Sequence, residues 1–157
     1  MKIGLIADTH DNLPKVERAI KVFNTKKVSL VLHTGDYIAP FSILLFKKLK
    51  CEYLGVFGNN DGEREGLLKI SGGCIRESPL IIERNSKKIV LVHDLNKLDL
   101  KDANCDLVIF GHTHKPEIKK NNSVLFINPG ECGGWLTKRS TIGILDLDSL
   151  SIDILKI

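Results

Sequence analysis

The chain has no closely spaced pair of cysteines. Cys51, Cys74, Cys105 and Cys132 are scattered through 157 residues. Without a C-x-x-C they make neither a zinc knuckle nor a thioredoxin-type redox motif, and they read as small, partly buried hydrophobes of a reducing compartment. No apolar run approaches the ~18 residues that span a bilayer. The first residues, Met1-Lys2-Ile3-Gly4-Leu5-Ile6-Ala7-Asp8, lack the long apolar stretch and small-residue cleavage site of a secretory leader. A cytoplasmic protein with no membrane partner is expected. Aromatics are few, 6% with one Trp, and the net charge of +4 comes from lysines such as Lys26-Lys27, Lys47-Lys48 and Lys119-Lys120. A nucleic-acid stripe is denser and interleaved with aromatics, so the excess reads as solvated surface and nucleic acid is not an expected partner. Internal repeats, linkers and low-complexity tracts are missing too. What is present, 43% hydrophobic and 27% charged residues, suits one domain over residues 1–157 whose core needs no staple to fold.

The first half alternates apolar runs with helical patterns. Residues 2–7, 28–32 and 52–57 predict strands. Pro14 suits the start of a helix, with Val16, Ala19, Ile20 and Phe23 following at helical spacing. Ile43, Leu44, Phe46, Lys47 and Leu49 suggest a second helix, and residues 63–70 a third. The second half reads differently. Hairpins are predicted for 80–83 with 89–92, around Asn121-Asn122, and for 141–147 with 151–155. A brief helix is predicted over 97–103 and a buried strand over 106–110. The pattern is α/β, parallel first and more antiparallel later.

Polar residues fall at telling places along this pattern. Five apolar strands each run into a turn with metal-ligand side chains: Asp8-Thr9-His10, Gly35-Asp36, Gly58-Asn59, Val92-His93 and Gly111-His112-Thr113-His114. In open α/β sheets ligands bind outside the carboxyl ends of the strands. Such turns on one rim would unite two carboxylates, an amide and four imidazoles. Singly, each has an ordinary explanation: Asp8 as a cap, Asp36 and Asn59 as turn residues beside glycine, His93 as a packed histidine. Jointly they do not, because four of the five histidines stand at these ends. The oxygen and nitrogen set, free of thiolate, suits divalent Mn²⁺, Fe²⁺, Ni²⁺ or Zn²⁺ rather than Mg²⁺ or Ca²⁺ alone. Seven donors exceed one tetrahedral ion and fit two ions that share a carboxylate. Gly35, Gly58 and Gly111 permit sharp turns and close approach beside them.

The set D-x-H, G-D, G-N, H and G-H-x-H resembles the calcineurin-like metallophosphoesterase superfamily. The short length, the H-x-G-D form at His33 to Asp36, and Asn128-Pro129-Gly130 resemble its compact bacterial and archaeal phosphodiesterase branch. The resemblance implies a four-layer sandwich, two mixed β-sheets flanked by helices. It implies that one ion takes Asp8, His10 and His114, that a second takes Asn59, His93 and His112, and that Asp36 bridges them. Two divalent transition-metal ions are thereby expected, Mn²⁺ or Ni²⁺ first and Fe²⁺ or Zn²⁺ next. The implied activity is hydrolysis of a small phosphate diester by a metal-bridging hydroxide, available at neutral pH because a bound metal lowers the pKa of water to about 7. Self-association as a homodimer is left open.

Two positions depart from the family pattern. Where the family has G-N-H-[DE], this chain has Gly58-Asn59-Asn60-Asp61, so Asn60 stands in for the histidine that protonates the leaving group. An amide donates a hydrogen bond but supplies no proton at neutral pH; esters with readily departing groups, such as aryl diesters, are the expected substrates. Val92 replaces the usual glycine before His93, and Asp94 follows. Of the remaining polar residues, Asn12 reads as a turn cap ahead of a contact to substrate phosphate, His33 as a supporting or core residue, and Asp61 as the cap of the next helix ahead of a residue that orients Asn60. Cys132-Gly133-Gly134-Trp135 suits either a lip that meets a substrate ring or an exposed loop. The rival readings are a non-catalytic protein-interaction scaffold of the same fold, as in a retromer subunit, and a nuclease or phosphomonoesterase. Competent residues at all seven ligand positions favour the enzyme over the scaffold.

Overall fold

The computed structural model describes residues 1–99 and 104–157. Strands β1 (Lys2–Ile6), β2 (Leu30–His33), β3 (Glu52–Val56) and β4 (Ile75–Arg76) lie parallel in one sheet. The hairpin of β10 (Thr141–Asp146) and β11 (Ser151–Lys156) extends it antiparallel beyond β1, in the order β11-β10-β1-β2-β3-β4. A second sheet has the order β5-β6-β7-β9-β8, from β5 (Leu80–Arg84), β6 (Lys87–Leu91), β7 (Leu107–Ile109), β8 (Pro116–Asn121) and β9 (Val124–Pro129). In it β6, β7 and β9 run parallel, with an antiparallel strand at each edge. Both sheets are mixed, as the resemblance implied.

The sheets pack face to face through alternate residues of their strands. Ile3, Leu5, Leu30, Leu32, Leu54 and Val56 of the first meet Ile89, Leu91, Leu107, Ile109 and Ile127 of the second, all buried. The period of two along a strand turns Ile6 and Val31 the other way. There they pack against Ala19 and Phe23 of helix α1 (Leu13–Lys26). Helix α3 (Arg64–Ser71) buries Leu67 in the neighbouring cluster with Val16, Ile20 and Tyr37. No helix among the described residues is long and apolar enough to cross a membrane.

Two local expectations need correction, and one short strand was not expected. The second helix is split into α2 (Pro40–Ile43) and a 3₁₀ segment, Leu44–Lys48. Ile43 and Phe46 are buried, one in each piece. The helix predicted over 97–103 is represented by one 3₁₀ turn, Leu95–Lys97, closed by the Asp94 side chain; residues 100–103 lie outside the described residues. Strand β4 was not anticipated, because two residues are too short to show alternation. All four cysteines are free, Cys105 and Cys132 buried.

Candidate metal centre

The turns after β1, β2, β3, β6 and β7 converge where the two sheets meet. The first two are sewn together by backbone bonds, Asp8 N–H to Gly35 O at 3.1 Å and His10 N–H to Asp36 O at 3.0 Å. Close approach explains the glycines. A Cβ on Gly35, whose φ is +101°, would lie 2.6 Å from Gly58 N and 2.9 Å from His93 Nδ1. Asp8, His10, Asp36, His112 and His114 all take positive φ, between 43° and 66°. Non-glycine residues seldom adopt that region, and such strain gathers at functional sites.

The seven residues singled out from the sequence form two adjoining groups. Ligand atoms of Asp8, His10, Asp36 and His114 all lie within 4.8 Å of one another. Here His10 Nε2 is 3.5 Å from Asp36 Oδ2, His114 Nε2 is 3.8 Å from Asp8 Oδ1, and the two imidazoles stack at 5.1 Å. In the other group Asn59 Oδ1 is 2.8 Å from His93 Nε2 and 2.9 Å from His112 Nδ1. Asp36 stands between the groups, since its Oδ1 is 3.6 Å from His93 Nε2. The half-exposed rim is His112, with 42% of its side chain accessible; Asp8 and Asp36 are buried.

This donor set fits divalent cations on electrostatic grounds. Asp8 is pushed up to about 8, by burial first and by the charge of Asp36 second, against N–H bonds from His112. Two buried carboxylates side by side are costly unless a cation lies with them. Burial lowers His10 and His93 despite the nearby Asp36 charge, so both imidazoles are neutral at pH 7, the form able to bind a cation. His93 Nδ1 donates to the Thr34 carbonyl at 2.8 Å, which leaves the Nε2 lone pair facing the Asn59 oxygen. Two acceptors pointing at each other suit a shared cation. His10 Nε2 is buried with no hydrogen-bond partner among the described residues.

A profile described as the calcineurin-like phosphoesterase superfamily domain matches residues 1–150. The chain belongs to that superfamily. It is similar to phosphodiesterase MJ0936 of Methanocaldococcus jannaschii, at 40% identity over 156 residues and 94% of each chain. A solved structure of an archaeal phosphodiesterase superposes with a TM-score of 0.93 at 36% identity, covering 100% of both chains. A zinc complex of Vps29 from Entamoeba histolytica, 22% identical, covers 100% of this chain and 98% of its own with a TM-score of 0.73, and shows the fold alone. The superfamily implies divalent metal ions, and Asp8, His10, Asp36 and His114 are a cluster able to hold one.

Of the residues around this cluster, Asp61 differs from its sequence reading, while Asn12 and His33 agree with theirs. Asp61 caps no helix: α3 begins without a side-chain cap. Its buried carboxylate instead accepts N–H bonds from Asp36 at 3.0 Å, Tyr37 at 2.7 Å, Ile38 at 2.9 Å and Gly58 at 2.7 Å, which fixes the Asp36 and Asn59 turns together. Asn60 donates from its backbone and its side chain to the two oxygens of Asp36, at 2.9 and 2.8 Å. His33 is fully buried, stacked on Tyr37, and accepts the Gly35 N–H on Nδ1 at 3.0 Å. Asn12 caps α1, and its amide also donates to Gly133 O at 2.7 Å. Asn128 donates to Gly111 O and Thr113 Oγ1, bracing the histidine turn.

Glu131 was not singled out from the sequence. It is buried, and its carboxylate lies 2.7 Å from His114 Nδ1. Burial raises its pKa, but hydrogen bonds from Thr137, His114 and Leu136 outweigh that and leave it lowered, hence ionised. Its place right after Asn128-Pro129-Gly130 was visible; its partner 17 residues back was not.

Proposed function

We propose that the chain is a dinuclear metal-dependent phosphodiesterase. In this reading Asp8, His10 and His114 hold one ion, Asn59, His93 and His112 hold the second, and Asp36 serves both. The observation that carries it is the position of Asp36, whose two oxygens face His10 on one side and His93 on the other. When bound, the ions supply Lewis-acid charge to a phosphoryl group and acidify a water to a pKa of about 7. Mn²⁺ or Ni²⁺, then Fe²⁺ or Zn²⁺, suit these donors.

The protein's own residues have separate tasks. Asp8 and Asp36 offset about half the charge of two divalent ions, so the centre stays positive and draws a phosphate. Asp61 keeps Asp36 and Gly58 in register through its four N–H bonds. Neutral His93 is held by Thr34 O with Nε2 turned inward. Asn60 Nδ2 donates one N–H to Asp36, and an amide releases no proton to a leaving group at neutral pH. Small diesters with a readily departing aryl group are therefore favoured over alkyl monoesters. The free cysteines support a reducing compartment, the cytoplasm.

The test is hydrolysis of a chromogenic aryl diester by metal-loaded protein, with Asp36→Ala as control and an alkyl monoester as comparison. The reading expects turnover of the diester that Asp36→Ala abolishes. Bound metal without turnover of any ester would favour the interaction scaffold instead. Equal rates on the alkyl monoester would refute the leaving-group argument.

A further inference from the structure

The loop after β9 is built around one carboxylate. Glu131 Oε1 accepts the Thr137 N–H at 2.5 Å and the Thr137 hydroxyl at 2.6 Å, and Oε2 accepts the Leu136 N–H at 3.4 Å. The same Oε2 is 2.7 Å from His114 Nδ1. A carboxylate only accepts, so Nδ1 carries a proton, and in the neutral ring that binds a metal the lone pair lies on Nε2, the nitrogen that faces Asp8 Oδ1 at 3.8 Å. The loop's other ties reach the turn after β1. Cys132 N–H donates to Ala7 O at 2.8 Å, Gly133 N–H to Asp8 O at 3.0 Å, and the Trp135 indole N–H to His10 O at 3.1 Å. These bonds touch both turns that form the Asp8, His10 and His114 group. His93 in the other group is oriented separately, by Thr34 O.

We propose that Glu131 is a positioning residue for the Asp8, His10 and His114 half of the centre, and that its carboxylate joins His114 to the Trp135 loop so that this loop reports occupancy of that half alone. The inference rests on His114 being a metal ligand, as in the proposed function. Ligand histidines commonly give their second N–H to a carboxylate, and losing that partner weakens metal binding by about 10–100-fold. Glu131→Gln is the discriminating change. Its oxygen still accepts from Thr137, while its NH₂ is a donor against His114 Nδ1. That selects the tautomer with the proton on Nε2, where the ion would bind.

Zn²⁺ titration of chelator-stripped protein tests this, by calorimetry and by fluorescence of Trp135, the single Trp of the chain. Zn²⁺ is used because its filled d shell does not quench by itself. In the unchanged protein two ions are expected, with the fluorescence following one of the two events. Glu131→Gln should weaken that event about 10–100-fold, leave the other within about twofold, and uncouple the fluorescence from it. Thr137→Val removes one donor from the carboxylate and should weaken the same event by a smaller factor; it decides the matter if Glu131→Gln does not fold. Unchanged affinities in a folded Glu131→Gln, or equal weakening at both sites, would overturn the inference and spare the proposed function. An unchanged protein that takes up no Zn²⁺ would overturn both.

Discussion

Asp8→Asn should make the stripped protein more stable while disabling the Asp8, His10 and His114 half of its metal centre. Asp8 is fully buried, and burial with the neighbouring Asp36 charge lifts its pKa from 3.8 to about 8. In the unfolded chain the same carboxyl ionises freely near 3.8. Between these values the folded state holds a proton that the unfolded state has released, so unfolding becomes easier as pH rises through that window. One pKa unit corresponds to about 1.4 kcal/mol, and at pH 7 roughly three units of the window have been crossed, a cost of about 4 kcal/mol. Asn has the same shape without the charge, and its oxygen can still accept the His112 N–H. With a urea slope of about 1–3 kcal/mol per molar, Asp8→Asn should raise the unfolding midpoint at pH 7 by roughly 2 M. The advantage should shrink about 1.4 kcal/mol per pH unit as pH falls toward 4, and stay level above pH 8. Buried imidazoles titrate in both chains and largely cancel in the difference. Saturating Zn²⁺ should reverse the order, because the unchanged chain gains two ions by mass action and the variant at most the one held by Asn59, His93 and His112. The assay is urea unfolding followed by far-UV circular dichroism, in chelator and then in Zn²⁺. An Asp8→Asn chain that is equally or less stable in chelator at pH 7, with no pH trend, would refute this reasoning.

Asp61→Ala leaves four backbone N–H groups without their acceptor, at about 1–3 kcal/mol for each that stays buried and unpaired. A loss of about 3 kcal/mol or more in urea unfolding is expected, together with lost uptake of both ions in calorimetry; intact binding would contradict the role given to Asp61. Asn60→His places a titratable donor beside Asp36. Rates on alkyl esters should rise by about 10²-fold or more, the usual reach of a positioned general acid, with little change on activated aryl diesters. Steady-state kinetics on paired substrates reads this, and equal gains on both would remove leaving-group protonation as the cause.

The parts of the site legible in the sequence are those that local chemistry marks. Runs such as Ile3 to Ile6 and Leu107 to Ile109 form buried strands because they are short, β-rich and apolar, and each ends on ligand side chains. Ligand side chains at successive strand ends made Asp8, Asp36, Asn59 and the four histidines readable as a group; that three of the ends belong to one sheet and two to the other, joined by face-to-face packing rather than by a single rim, was not readable. Asp61 misled because an acidic residue ahead of a helix has the chemistry of a cap. Its carboxylate instead spans 25 residues to the Asp36 turn, and nothing local encodes that choice. Glu131 escaped for the same reason, since its partner His114 lies on another segment, before β8. The 40–48 segment carries apolar residues compatible with either helix type. Packing of Phe46 among Tyr37, Tyr53 and His33 accompanies the 3₁₀ form.

The account turns on two cations sharing the Asp36 carboxylate, and anomalous diffraction from crystals equilibrated with Mn²⁺ tests that most directly. Two peaks are expected about 3.5–4 Å apart. One should touch Asp8, His10 and His114, the other Asn59, His93 and His112, and both should touch Asp36. A single peak, or ions that leave Asp36 without a metal contact, would contradict it.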